Sequence, residues 1–122
     1  MANILIAVTG SIASYKSADL VSSLKKQGHQ VTVLMTEAAR EFIQPLTLQV
    51  LSQNPVHLDV MQEHTPDQVN HIELGKRTDL FIVAPATANT IAKLAHGFAD
   101  NIVTSTALAL PDHVKKLVAP AM

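Results

Sequence analysis

The sequence predicts an α/β domain with a parallel, Rossmann-like (flavodoxin-like) sheet and helices on both faces, in three layers. Short apolar runs rich in β-branched residues, such as residues 4–9 and 31–35, are typical of strands buried on both faces. Segments with helical periodicity separate these runs, as in the stretch that places Val21 and Leu24 on one helix face. Strands that alternate with helices in this way pair in parallel and cross over in the right-handed sense.

Composition narrows the class of protein further. At 122 residues, 48% of them hydrophobic, the chain can bury one sizeable core. The net charge of -1 and the lack of a basic stripe argue against a nucleic-acid partner. With no cysteine and no metal-ligand spacing among the six histidines, we expect neither disulfides nor a metal site. Short apolar runs and an N-terminus that enters a strand directly predict a soluble, cytoplasmic domain with no membrane partner.

The first predicted strand ends in a turn, residues 10–14, that carries a single glycine. This turn matches neither the dinucleotide-binding fingerprint nor the phosphate-binding loop of nucleoside triphosphatases. On residue types alone it is either an ordinary strand-to-helix connection or a phosphate-binding site made of backbone N–H groups and the Ser11 hydroxyl. The helix after it should end at Gly28, because glycine suits the left-handed conformation that follows a helix.

A second strand-to-helix turn follows the apolar run that starts at Leu80. Pro85 should end that strand because it cannot donate to a ladder, and Asn89 should cap the next helix, which Gly97 ends. In an open α/β sheet such a turn lies at the carboxyl end of a strand, where ligands bind. We therefore expect this strand to lie beside the first one, with the binding crevice between their carboxyl ends.

The remaining elements are predicted by periodicity and by turn residues. Thr36 should cap a short helix over residues 36–42, and Pro45 should open a helix that ends near residue 51. The rest of the chain is predicted to form a short strand at 56–58, a polar loop at 59–70, one helical turn at 71–75, a helix at 100–110 and a strand at 116–119.

Several stretches together resemble one protein family. APATANTIAKLA at 84–95, ADN at 99–101, GSIA at 10–13 with Lys16 shortly after, HI-L at 71–74 and APAM at 119–122 are similar to motifs of the flavin-containing cysteine decarboxylases. The similarity is greatest to the phosphopantothenoylcysteine decarboxylase branch of coenzyme A synthesis. The resemblance implies that residues 1–122 form a flavin mononucleotide (FMN)-binding decarboxylase domain that is truncated at its C-terminal end.

The resemblance also implies roles for individual residues. His71 stands where the family carries its catalytic histidine, although a lone histidine in a short polar helix is usually a surface residue. Ala38 replaces a serine found in some relatives. The residues that would contact FMN lie in the turns after the strands and near the end of the chain: Gly10, Ser11, Ile12, Ala13, Thr36, Ala38, Pro85, Ala86, Thr87, Ala88, Asn89 and Ala121.

The implied reaction is the FMN-dependent decarboxylation of 4'-phospho-N-pantothenoylcysteine to 4'-phosphopantetheine. Direct loss of CO2 from a cysteine carboxyl leaves an unstabilised carbanion, and in the family the flavin first oxidises the thiol-bearing carbon to a thioaldehyde that can accept the electrons. His71 would assist proton removal in that oxidation. Relatives use an asparagine and a cysteine that this sequence lacks at its C-terminal end, so we expect the chain as written to bind flavin but to turn over substrate poorly.

Other functions and the state of assembly stay open at this point. A peptidyl-cysteine decarboxylase of the lantibiotic type or a flavin prenyltransferase would use the same fold, although the HI-L context of His71 argues against the prenyltransferase. A non-catalytic flavoprotein regulatory subunit is the alternative of another class. The resemblance further implies a homo-oligomer, either a trimer or a dodecamer of four trimers, with flavin between subunits and the 100–110 helix in the contacts.

Overall fold

The computed structural model describes residues 1–58 and 75–121, and these form a three-layer α/β structure around a parallel sheet. Its strands are β1 (Asn3–Val8), β2 (Gln30–Met35), β3 (His57–Leu58), β4 (Leu80–Ala86) and β5 (Lys115–Pro120). Its helices are α1 (Lys16–Lys26), α2 (Pro45–Ser52), α3 (Ala88–His96) and α4 (Ile102–Ala109), with short 3-10 helices at Ile12–Tyr15 and Ala38–Glu41. The loop predicted at 59–70 and most of the turn predicted at 71–75 lie outside the described residues.

The strands are ordered β3-β2-β1-β4-β5, and every described pair is parallel. From β1 the chain builds outward through β2 and β3 on one side, then returns to add β4 and β5 on the other. This reversal places the topological switch point between β1 and β4, and ligands of such sheets bind there, at the carboxyl ends of the strands. The predicted fold class and the predicted neighbourhood of the first strand and the Leu80 strand are both confirmed.

The alternation of side chains along β1 explains why its apolar run is continuous. Ile4, Ile6 and Val8 belong to one core cluster, and Leu5 and Ala7 belong to the other. The first cluster also contains Val21 of α1 and Leu48 of α2, whereas the second contains Phe81 and Val83 of β4 with Ile102 and Val103 of α4. Both faces of the central strand are therefore covered by helices, which requires apolar residues at consecutive positions.

The predicted helix ends are largely correct. Gly28 follows α1 with a φ of +91°, and Gly97 ends α3 with a φ of +72°, a conformation that glycine adopts at little cost. Pro45 occupies the start of α2, where its missing N–H is not needed. The last predicted helix is shorter than expected, because it begins only after Asn101, which forms a reciprocal capping box with Thr104.

One predicted cap is wrong, and a second makes the expected hydrogen bond from one position further out. Asn89 does not cap α3: Thr87 has the extended backbone of a cap, its hydroxyl accepts from the Thr90 amide at 3.2 Å, and Asn89 is an exposed residue inside the helix. A cap must be non-helical itself, so the first suitable side chain after the strand takes the role. Thr36 accepts from the Ala39 amide at 3.3 Å, but the short helix starts at Ala38 and Glu37 is its flanking residue.

Pro85 does not end the strand, contrary to the prediction. β4 continues to Ala86, the Ala84–Pro85 peptide bond is cis, and the register against β5 shifts between Val83 and Ala86. A proline is tolerated inside a strand where the ladder is already interrupted, because its missing N–H then costs no ladder bond. On the β1 side the regular pairing stops at Ala7 and Val83, before the proline is reached.

The end of α3 is tied to the segment before α4 by an exposed ion pair. The Lys93 ammonium lies 2.9 Å from the Asp100 carboxylate, and its hydrogen bond holds the pKa of Asp100 below the ordinary value. Exposed pairs of this kind stabilise little. The α4 helix buries Ile102 and Val103 in the core of its own chain, whereas Leu108 and Ala109 are exposed. That this helix contacts another subunit stays a prediction.

We predict that Thr106→Val stabilises the protein. The Thr106 hydroxyl is fully buried in α4 and has no hydrogen-bond partner within residues 1–58 and 75–121, so replacing it by a methyl group should raise the free energy of unfolding by about 1 kcal/mol. Urea denaturation measures the change. Thr104→Val is the matched control, because it removes a hydroxyl that is bonded to Asn101, and it should lower stability by about 1 kcal/mol. A Thr106→Val protein less stable than the parent would contradict the prediction.

Candidate functional site

The turns that follow β1, β2 and β4 meet at the carboxyl edge of the sheet. Gly10 and Ala38 show how close the first two turns are: a Cβ atom added at Gly10 would lie 2.6 Å from the Ala38 Cβ and 3.0 Å from its carbonyl carbon. Only a glycine opposite a small residue allows this approach. Two of the predicted site residues are therefore in direct contact, and the size of each is constrained by the other.

Ser11 organises the turn after β1. Its backbone is extended, its hydroxyl accepts from the Ala13 amide at 3.2 Å, and its own amide donates to the Ser14 hydroxyl at 3.2 Å. This reciprocal arrangement caps the short 3-10 helix that leads directly into α1. Ser11 is buried, whereas Ile12, the next residue, has 74% of its surface exposed beside the crevice. The predicted phosphate-binding site is thus a capped helix start with the apolar side chain of Ile12 exposed beside it.

Thr9, which was not predicted as a site residue, links the turns after β1 and β4. Its hydroxyl donates to the Pro85 carbonyl at 2.6 Å and accepts from the Thr87 amide at 3.1 Å. The Ser14 hydroxyl donates to the Thr9 carbonyl at 2.8 Å. Thr9 therefore bonds to the backbone of the turn after β4 and to the Ser14 side chain of the turn after β1.

Ser17, on the first turn of α1, makes a further link of the same kind. Its hydroxyl donates to the Ala84 carbonyl at 3.0 Å, so helix and neighbouring strand are held together next to Pro85. A sequence signal for these residues exists in retrospect. Ser14 and Ser17 are three positions apart, which places their hydroxyls on one face of a helical segment, and Thr9 is the first polar residue after an apolar strand.

The start of α3 presents backbone donors. The first amides of a helix have no intrahelical acceptor. Here the Thr87 hydroxyl accepts from the Thr90 amide, whereas no described protein atom accepts from the amides of Ala88 and Asn89. Their position at the positive end of the helix dipole favours an anionic group. Ala88 and Asn89 are both exposed, which leaves these amides accessible to a ligand.

A cavity of about 260 Å³ lies between α1 and the ends of β4 and β5. Its walls are mostly apolar, and the Ala121 amide, which donates to the Ala86 carbonyl at 3.0 Å, holds the last described residue beside β4. Among the described lining residues only Lys16 carries a charged side chain, an ammonium that also lies 5.4 Å from the Tyr15 ring centroid. The lining consists of Ala13, Lys16, Ser17, Leu20, Ala84, Pro85, Ala119, Pro120 and Ala121.

Eight of the predicted residues fall into three groups, Ser11 and Ile12 lie in the turn after β1, and Ala86 is the buried end of β4. Ala13, Pro85 and Ala121 line the cavity, Gly10 and Ala38 form the contact between turns, and Thr87 to Asn89 form the start of α3. Thr36 is buried and donates its amide to the Val8 carbonyl, so it fixes the turn after β2. His71 lies outside the described residues, and its predicted catalytic role is therefore not tested by the structure.

A larger cavity, of about 390 Å³, lies towards the amino ends of β1 and β2 and is lined by residues such as Asn3, Gln30 and Arg77. Ligand sites of parallel sheets lie at the opposite edge, so we assign the site to the switch point. Within residues 1–58 and 75–121, no three acidic or histidine side chains are close enough to hold a metal ion. None of the helices in those same ranges is long and apolar enough to cross a membrane.

The sheet order, the small-residue turns and the cavity at the switch point define a flavodoxin-like α/β ligand-binding domain. The chain belongs to the Flavoprotein family, whose model matches residues 1–122.

Three known proteins illustrate the relationship. The probable phosphopantothenoylcysteine decarboxylase of Streptococcus mutans is 66% identical over 119 residues, which are 98% of this chain and 66% of that protein. The coenzyme A biosynthesis bifunctional protein CoaBC of Bacillus subtilis is 48% identical over 120 residues, 98% of this chain and 29% of its own length. The crystal structure of the FMN-dependent cysteine decarboxylase TvaF from thioviridamide biosynthesis superposes with a TM-score of 0.90 at 28% identity, covering all of this chain and 74% of that one.

These similarities confirm the family resemblance that the sequence motifs predicted. The chain spans just under two-thirds of the length of the Streptococcus mutans relative and less than a third of the bifunctional one.

Proposed function

We propose that this domain binds FMN at the β1–β4 switch point and serves the decarboxylation of 4'-phospho-N-pantothenoylcysteine to 4'-phosphopantetheine in coenzyme A synthesis. The observation that carries the proposal is the meeting of three strand-end turns at one crevice, in a chain that is 66% identical to a probable phosphopantothenoylcysteine decarboxylase. The presence of FMN-dependent cysteine decarboxylases among the structural neighbours supports the choice of cofactor.

The residues of the crevice fit the two chemical halves of FMN. A phosphate group needs donors without competing carboxylates, and the amides of Ala88 and Asn89 supply them. Thr9 and Ser14 link this helix start to the turn at Ser11. None of the nine described residues that line the cavity is acidic, and Lys16 adds a positive charge. The apolar walls formed by Ala84, Pro85 and their neighbours suit a flat heteroaromatic ring.

The protein's contribution to the reaction is to bind, orient and keep water away. Bound FMN would supply the electron sink that direct loss of CO2 from a cysteine carboxyl lacks. Apolar groups along the cavity exclude water from the reacting carbon, and the fixed turns hold both reactants in one orientation, which can contribute several orders of magnitude in rate. We assign proton removal to His71, on the strength of its HI-L context and the family relationship.

The assignment to His71 predicts the behaviour of His71→Gln. Flavin affinity should be unchanged, because glutamine keeps the polarity and size of the side chain, whereas the rate of flavin reduction by substrate should fall by about 10²- to 10⁴-fold as a general base is lost. Anaerobic stopped-flow absorbance of the FMN-loaded chain measures that rate. His113→Gln, at an exposed position, is the control. Equal rates in His71→Gln and parent would remove His71 from the mechanism.

The assignment of phosphate to the Ser11 turn predicts a large effect of Ser11→Asp. Aspartate caps a helix as well as serine, so the fold should persist, but its carboxylate would repel the phosphate and weaken FMN binding by about tenfold or more. Ser11→Asn is the matched neutral cap and should bind nearly as the parent does. Fluorescence titration of FMN compares the three proteins. If aspartate and asparagine bind FMN equally well, phosphate does not lie at this turn.

The same family relationship suggests assembly, and we infer a homo-oligomer, a trimer or four trimers together. Leu46 and Val50 support the inference: they are four residues apart on α2, share one helix face, and are 63% and 66% exposed. The double variant Leu46→Glu, Val50→Glu should dissociate the assembly, as seen by light scattering, while Gln49→Glu on the same helix should not. A flavin-loaded parent that scatters as a monomer would contradict the inference.

A cytoplasmic location follows from the same assignment, because coenzyme A synthesis supplies a cytoplasmic cofactor, and cell fractionation tests it.

Lys16 also bears on specificity within the family: its ammonium makes the cavity favourable for an anionic substrate such as a phosphorylated one. Comparison of 4'-phospho-N-pantothenoylcysteine with a cysteine-terminated peptide as substrates would separate the proposed function from a peptidyl-cysteine decarboxylase.

A further inference from the structure

Thr9, which directly follows β1, places a buried hydroxyl group between the two turns of the crevice. Only 1% of its surface is exposed. Its Oγ1 atom donates to the Pro85 carbonyl at 2.6 Å and accepts from the Thr87 amide at 3.1 Å, so one side-chain atom satisfies two backbone groups of another segment. Both of those groups lie 76 to 78 residues away in the sequence.

These two backbone groups bond to Thr9 because the regular pairing between β1 and β4 does not extend to them. Regular pairing between β1 and β4 ends at Ala7 and Val83, and Pro85 has no N–H with which to extend it. Pro85 is buried, so its carbonyl needs a partner inside the protein. The Thr9 amide approaches the same carbonyl at only 3.4 Å, which makes the hydroxyl, at 2.6 Å, the shorter of the two bonds.

The hydrogen bonds continue from Thr9 into both turns. On one side the Ser14 hydroxyl donates to the Thr9 carbonyl at 2.8 Å and accepts from the Ser11 amide at 3.2 Å. On the other side Thr87, bonded to Thr9 through its amide, caps α3 through its hydroxyl at 3.2 Å from the Thr90 amide. One chain of bonds therefore runs from the start of the Ser11 turn to the start of α3.

We propose that Thr9 is a positioning residue for the cofactor. Its hydroxyl holds the start of α3, with the amides of Ala88 and Asn89, in a fixed position relative to the turn at Ser11. The proposal rests on the proposed function, since FMN is the group that both turns would hold. Without the hydroxyl the turn after β4 occupies its binding position only part of the time, and the apparent Kd rises in proportion to the loss of the competent population.

Three variants test the proposal by fluorescence titration of FMN, at a temperature where thermal unfolding curves show each protein to be folded. Thr9→Val has nearly the same shape but no hydroxyl, and its Kd for FMN should rise by about tenfold or more. Thr9→Ser keeps the hydroxyl, loses a buried methyl group, and should bind within about threefold of the parent although it is less stable. Thr106→Val removes a buried hydroxyl that no described residue bonds to, and it should leave the Kd unchanged.

The visible circular dichroism of the bound flavin gives a second readout, which a purely structural role would not move. At saturating FMN it should differ from the parent spectrum in Thr9→Val and match it in Thr9→Ser. A parental Kd and spectrum in Thr9→Val would overturn the proposal. Equal weakening of FMN binding in Thr9→Ser and Thr9→Val would also overturn it, because the methyl group rather than the hydroxyl would then determine the affinity.

Two further outcomes are informative. If Thr9→Val does not fold, Ser14→Ala takes its place: it keeps the Thr9 hydroxyl, cuts the chain of bonds on the Ser11 side, and should raise the Kd for FMN. A folded Ser14→Ala protein with parental affinity would overturn the proposal. A parent protein that takes up no FMN would instead overturn the proposed function itself, and with it the role of Thr9.

Discussion

The end of the pairing between β1 and β4 is the constraint on which the site depends. The two strands are paired through Ala7 and Val83, and beyond that point Pro85 removes the donor that another ladder bond would need. Beyond that point β4 continues to Ala86 against β5 alone, and some of its backbone groups need other partners. The hydroxyls of Thr9 and Ser17, which donate to the carbonyls of Pro85 and Ala84, satisfy those groups. The cavity between α1 and the ends of β4 and β5 lies beside these bonded segments.

The architecture could be predicted from the sequence because each layer is encoded locally. The apolar run of β1 serves two cores at once, and the glycines after α1 and α3 take the left-handed conformation that ends a helix. The errors lie where local signals compete. Thr87 and Asn89 are both good caps, and the choice depends on where β4 ends, which in turn depends on a register shift against β5. A shift of this kind depends on the neighbouring strand and leaves no local pattern.

Some residues of the candidate site could be predicted from the sequence, and others could not. Turns of small and polar residues at strand ends identify Gly10, Ser11 and the segment from Pro85 to Asn89 by composition and position. The roles of Thr9, Ser17 and Lys16 are not visible in this way, since their partners are backbone groups and cavity walls on strands that are distant in the sequence. Even for Gly10, the reason for glycine is tertiary: the Cβ and carbonyl group of Ala38 leave no room for a Cβ.

The comparison with TvaF shows what this backbone does and does not determine. A TM-score of 0.90 at 28% identity means that most side chains differ while the backbone fold is the same. In this crevice the backbone amides at a helix start tolerate such change, whereas the glycine contact and the carbonyls bonded by hydroxyls need particular residues. The fold therefore specifies a place for a cofactor, and the choice of substrate must come from side chains that face the cavity, among which Lys16 carries the only charge in the described lining.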